Sequence, residues 1–232
     1  MAIAHCRQAS AIADQEGLEE IGAFADACLV QVYVFAGELD AAIAAGERAL
    51  DVFEARRNLW WACRALAQLS SAANARGEWE RSLGYCQQAL AHALDLDDLR
   101  LKVSALARMA STHVQRGDWE RGLGYCDEAL ALGPTPYDAA AVKAIRGYAL
   151  TGSGRLDEGI ALLEEALVWY EHSSLKFTRC QFTLWLAEAL LARGDRVRGV
   201  ELVHSVLSIA RELRYRHLEA SADRLRARMT EN

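Results

Sequence analysis

GEWERSLGYCQQAL at 77–90 and GDWERGLGYCDEAL at 117–130 share ten of their fourteen positions. Three further segments fall into that frame: GELDAAIAAGERAL from Gly37, GRLDEGIALLEEAL from Gly154 and GDRVRGVELVHSVL from Gly194. The glycines step by 40, 40, 37 and 40, and AHCRQAS at 4–10 fits the frame two periods before GYCQQAL at 84–90. Self-similarity at such a period is the mark of a repeat architecture, in which each unit buries its apolar face only against its neighbours.

Each shared position has a physical task. The glycine ends one helix in the left-handed conformation that it adopts at no steric cost. An acidic residue after it, as in Gly77-Glu78 and Gly117-Asp118, is suited to cap the next helix. Five residues past the glycine stands a small residue (Ala42, Ser82, Gly122, Gly159, Gly199), and twelve past it another (Ala49, Ala89, Ala129, Ala166), with Val206 the departure. Positions seven apart share a helix face, so these let a neighbouring helix approach closely. Leu83, Leu123 and Ile160, with Leu50, Leu90, Leu130 and Leu167, fill the remaining core, and Trp79 and Trp119 are read as core too. Between these segments lie the partner helices, such as LEEIGAFADACLVQVYVFA and LWWACRALAQLSSAANAR, each ending at a glycine. The reading is all-α: twelve helices and no strands, stacked as antiparallel pairs, with 2–15 a helix lacking its partner and 214–230 a terminal helix.

Composition agrees. Ala, Leu, Glu and Arg, the strong helix formers, dominate, and Pro134 and Pro136 are the only prolines. A net charge of −6 argues against direct nucleic-acid or membrane-surface binding, which needs a basic field. The charge is uneven: residues 1–58 carry four basic side chains against ten acidic, whereas Arg193 to Arg228 holds nine arginines against five acids. The basic end reads as a solvated helix face. The six cysteines, Cys6, Cys28, Cys63, Cys86, Cys126 and Cys180, form no C-x-x-C pair. No secretory signal or apolar run of the ~20 residues needed to span a bilayer is present. We expect free thiols and a cytoplasmic protein.

This pattern resembles the tetratricopeptide repeat family, which places a small residue in the first helix (here Ser70, Ala110, Gly147, Ala187), glycine and an acid at the turn, and two small residues seven apart in the second. The resemblance covers essentially the whole chain and implies an α-solenoid coiled as a right-handed superhelix, one array over 1–232 with pairs turning at Gly37, Gly77, Gly117, Gly154 and Gly194. The repeats exceed the family's usual length of ~34 residues. That longer form is similar to the sensor regions of bacterial signalling ATPases and transcription regulators of the maltose-regulon-activator kind, and implies a piece of a larger regulatory protein.

Catalytic signatures are absent. No phosphate-binding loop, G-x-S-x-G or H-E-x-x-H occurs. Gly152-Ser153-Gly154 falls on a turn of the frame. His5, His92, His113, His172, His204 and His217 are isolated from one another at ligand spacing, so no metal, cofactor or enzymatic activity is expected. One face does suggest binding. The residues 13, 9, 6 and 2 before each glycine lie on one side of the helix that ends there, the side that lines the concave surface in the family. They read Phe24, Cys28, Gln31, Phe35; Arg64, Gln68, Ser71, Ala75; Ser104, Arg108, Ser111, Gln115; Ala141, Ile145, Tyr148, Gly152; and Gln181, Trp185, Glu188, Ala192. The resemblance therefore implies a groove with a polar centre around Arg64 and Arg108 and with Phe24, Tyr148 and Trp185 as aromatic grips. Its partner would be a protein, a peptide or a small, anionic effector. The alternative is a structural scaffold that self-associates as a homo-oligomer.

Overall fold

The computed structural model describes residues 2–171 and 173–230, so His172 lies outside the described residues. Twelve helices and no strand occur among them: α1 (Ala2–Gln15), α2 (Glu19–Ala36), α3 (Leu39–Ala55), α4 (Leu59–Arg76), α5 (Trp79–Asp95), α6 (Leu99–Gln115), α7 (Trp119–Ala131), α8 (Pro136–Gly152), α9 (Leu156–Tyr170), α10 (Lys176–Arg193), α11 (Arg196–Leu213) and α12 (Arg216–Thr230). The chain divides into two compact units, Met1–Thr112 and His113–Asn232.

Within the first unit α1 packs on α2, α2 on α3, α3 on α4 and α4 on α5, while α2 also touches α4. The core holds Val30, Ala42, Ala49, Phe53, Ala62, Leu66 and Leu69, and reaches Ala89 and Ala105. Within the second unit, α7 to α12 pack in succession, and α8, α10 and α12 meet as next-but-one neighbours. Helices that end at the repeat glycines thus form one layer of each unit and the helices between them the other. The small positions sit where helices cross. Ala42, Ala49, Ser82, Ala129 and Ala166 are fully buried, and Gly159 meets Gly147 at a crossing too tight for a side chain. Each fully buried leucine around them contributes roughly 1.5–3 kcal/mol by leaving water.

The five repeat glycines all have positive φ, between 76° and 94°. The amide of the residue after each glycine then bonds to the carbonyl five residues back: Glu38 to Tyr33, Glu78 to Ala73, Asp118 to His113, Arg155 to Leu150 and Asp195 to Leu190. The turns in the other direction close with the same bond, from Leu18 to Ala13, Asn58 to Phe53, Asp98 to Ala93 and Tyr215 to Ala210. There the left-handed residue is Gly17 once but Arg57, Asp97 and Arg214 elsewhere.

Two sequence expectations need correction. Glu38, Glu78 and Asp118 make no side-chain cap bond to a backbone amide of the helices that they precede; of the acids after the glycines, only Asp195 does, accepting from the Arg198 amide. The others bind cations instead: Glu38 pairs with Arg7, Glu78 with Arg76 and Arg81, and Asp118 with Arg116 and Arg121, while Asp118 also bonds the His113 ring. A salt-bridge partner across the turn competes with the cap for the same oxygens. Trp79 and Trp119 are half-buried rather than core. The Trp119 ring lies over Gly152 and meets Tyr148 edge-on, centroids 6.0 Å apart.

Candidate functional site

In the first unit the two arginines singled out from the sequence have different surroundings. Arg64 on α4 is exposed, its guanidinium carbon 5.5 Å from the centre of the Trp60 ring, within cation–π range. Arg108 on α6 turns inward. Its Nη1 donates to Ser71 Oγ at 2.5 Å, and Ser71 donates in turn to the Ala67 carbonyl. The Arg108 Nε is sealed from solvent without an acceptor, and so is Gln68 Oε1 without a donor. Burial pulls the Arg108 pKa below its ordinary value; Cys86 opposes that pull and the charge of Arg64 adds to it.

Neither arginine has a carboxylate partner among the described residues. Other arginines of this unit do. Arg48 grips the buried Asp26 with two bonds of 2.9 and 3.0 Å, and Arg81 donates to Glu47 at 2.6 Å. A cation out of water without an anion is costly, so the contrast marks Arg108 as the unusual group of this unit. Gln31 is exposed on α2, and Ser111 is half-buried on α6. Phe24 is not an open groove wall. It is half-buried, packed between Phe53 and Trp61 at centroid distances of 5.2 and 4.8 Å and against the core.

In the second unit Tyr148 of α8 and Trp185 of α10 stack face to face, 4.6 Å apart and 2° from parallel. Trp185 is only 5% exposed, so it packs more than it presents. Tyr148 donates its hydroxyl to Glu188 Oε2 at 2.9 Å, and Arg228 of α12 donates to Glu188 Oε1 at 2.7 Å. Burial and the Glu188 charge hold the Tyr148 phenol above its ordinary pKa. Gln181 is half-buried and Gln115 exposed. Together with Leu184, Ser221, Arg224, Leu225 and Ala227 these side chains surround a cavity of about 600 Å³. Sequence reading missed the contribution of α12, because residues 221–228 fall outside the repeat frame; the arginine-rich end was the one signal.

No group of three or more His, Cys, Asp or Glu side chains is placed to hold a metal ion among the described residues. No helix among them is long and apolar enough to cross a membrane.

With paired helices, left-handed glycine turns and buried small positions in place, likeness to solved structures decides the fold. A kinesin light chain of Podosopora anserina with nearly identical TPR-like repeats superposes at TM-score 0.52, with 17% identity over 81% of this chain and 94% of that one. The fold is the tetratricopeptide type. A Rap protein complexed with competence and sporulation factor matches at TM-score 0.62 and 15% identity over 90% of this chain. This chain spans 63% of the length of that Rap structure. BtubC (BKLC) from P. vanneervenii matches at TM-score 0.61 and 16% identity, with 91% of both chains covered. No family model matches this sequence, and no curated protein does.

Proposed function

We propose that this chain is a ligand-binding repeat module of a bacterial signalling or regulatory protein, and that it takes an anionic group at Arg64 and Arg108. The ligand is an acidic peptide segment or a small anionic effector, held through the first unit. The observation that carries the reading is the half-buried Arg108, whose Nε is sealed from water without an acceptor and which has no carboxylate partner among the described residues. A carboxylate or phosphate would complete it through charge-assisted hydrogen bonds. Gln31, Gln68, Ser71 and Ser111 add neutral polar groups on the same helix faces. A binding rather than catalytic role is consistent with the Rap protein, whose structure is a complex with competence and sporulation factor, though the likeness to it extends to the fold alone.

The test is a library of displayed acidic and neutral peptides selected against the wild-type chain and against an Arg64→Gln, Arg108→Met double variant. Met matches the buried part of the arginine stem and so preserves packing. Wild type should enrich acidic sequences, and the variant should bind them at least about tenfold more weakly, or ~1.4 kcal/mol. Equal affinity in a folded double variant would move the site elsewhere, with the α12 end of the second unit the next candidate.

A further inference from the structure

The second unit holds a cavity lined by groups apart from Arg64 and Arg108. The cavity of about 600 Å³ among α8, α10 and α12 falls within the range of small-molecule pockets. Leu184, Trp185 and Leu225, each 5–6% exposed, give it an apolar floor. Its mouth is polar, and the charges there can be accounted for one by one.

Glu188 is already engaged at both oxygens, by the Tyr148 hydroxyl and by Arg228. That pair cancels Arg228 electrostatically. Arg224 is different: its one hydrogen bond is to Ser221 on the same helix, at 3.0 Å, and no carboxylate answers it among the described residues. Gln181, half-buried on the cavity wall, makes no side-chain hydrogen bond among them either. The lining therefore carries one uncompensated positive charge, an amide free to donate and an apolar floor.

We infer that this cavity binds a small organic monocarboxylate with an aromatic or branched apolar body, its carboxylate on Arg224 and Gln181 and its body over Leu184, Leu225 and the accessible part of Trp185. The planar guanidinium fork matches a carboxylate. A dianion such as a phosphate monoester suits the site less well. It would bring a second negative charge with no second free cation, close to Glu188. The aromatic floor gives the body van der Waals contact. This inference is independent of the Arg64–Arg108 reading, because the two sites share no residue.

The test is titration calorimetry of the whole chain with three probes of one shape: 4-phenylbutyrate, its neutral amide, and a phenylalkyl phosphate of matched length. Arg224 is exposed, so Arg224→Gln and Arg224→Glu should keep the wild-type circular dichroism and melting temperature. Saturable binding of 4-phenylbutyrate is expected, weakened about tenfold or more by Arg224→Gln, abolished by Arg224→Glu, and unchanged in the Arg64→Gln, Arg108→Met variant. The amide should bind at least about tenfold more weakly than the acid, and the phosphate no more tightly. The inference is overturned if the acid gives no saturable heat up to roughly millimolar concentrations. Equal binding of acid and amide, tighter binding of the phosphate, or an affinity indifferent to Arg224→Gln would overturn it too. Loss of acidic-peptide selection with phenylbutyrate binding intact would count against Arg64 and Arg108 alone.

Discussion

A β-carbon on Gly159 would stand 2.5 Å from the carbonyl oxygen of Gly147, with the Thr151 methyl closer still at 2.4 Å. These two glycines are where α8 and α9 meet, backbone against backbone. Gly159→Ala should therefore part the helices and cost roughly 1–3 kcal/mol, as overpacking does. Gly84→Ala and Gly124→Ala are the matched controls: both lie within helices, and nothing lies within 4 Å of an added β-carbon. Each should stabilise by roughly 0.5–1 kcal/mol. Urea melts of the three variants check the pair of signs, and a neutral Gly159→Ala would refute the crossing.

Arg57 holds φ of 54° at a turn where the equivalent residue one period earlier is Gly17. Its backbone amide closes the turn, and its side chain joins no ion pair among the described residues. Arg57→Gly should raise stability by a few tenths of a kcal/mol to about 1, the left-handed strain outweighing the added chain entropy. Differential scanning calorimetry would show the rise; a lower melting temperature would mean that the side chain matters in a way the geometry does not reveal.

Arg108→Met by itself should leave the melting temperature equal or raise it. Removing a half-buried, incompletely bonded cation relieves desolvation, and an apolar side chain of similar length fills the space. A large drop would show that the Arg108–Ser71 bond supports the fold, and would weaken the case for an anion there.

All six cysteines are unpaired, four of them buried. Burial pushes the Cys63 thiol up to about 11 and the Cys126 thiol up to about 12. At pH 8 an alkylating agent should label Cys28, which is exposed, and Cys6, which is half-buried, well before Cys63, Cys86, Cys126 and Cys180. Mass spectrometry after a short pulse reads the order directly; early labelling of Cys126 would contradict the packing.

Those thiols also set an alkaline limit. Their folded pKa lies above the usual 9.0, so near pH 9 and beyond the unfolded chain releases protons that the folded chain keeps, and stability falls as pH rises from about 9 toward 12. On the acid side burial lowers the pKa of His113, against an upward pull from Asp118, and burial and then Arg224 lower that of His217. Below about 6.5 the unfolded chain takes up protons first, and stability falls again. Denaturant midpoints should be highest between about pH 7 and 9; a midpoint still climbing at pH 10 would reverse the sign assigned to the cysteines.

The fold was legible because small residues recur where helices cross and glycine recurs where the chain must turn left-handed. Both requirements are written in residue type. The opposite turns were harder to see, since Arg57, Asp97 and Arg214 accept the same backbone strain without announcing it. Caps were ambiguous because an acid after a glycine serves a cap or a salt bridge equally well. The helical-face rule brought Arg64, Gln68, Ser71 and Arg108 onto α4 and α6, but periodicity could not tell that Arg108 turns inward or that Phe24 packs between Phe53 and Trp61. Depth depends on the neighbours, not on the helix's own period. The α12 lining of the second cavity had no repeat to reveal it.

The step of 37 between Gly117 and Gly154 has its origin in α7, which has 13 residues where α5 has 17, followed by a connection over 132–135 that is one longer than the connection over 96–98 after α5. About one full turn of helix has been removed at the prolines. Because α7 begins in register at Trp119 and is shorter only at its far end, Gly122, Cys126 and Ala129 keep the buried positions that Ser82, Cys86 and Ala89 hold in α5. Length can therefore vary at a helix end without disturbing the buried stripe, whereas two residues removed from within α7 would turn everything beyond them by roughly 200° and carry that stripe into solvent.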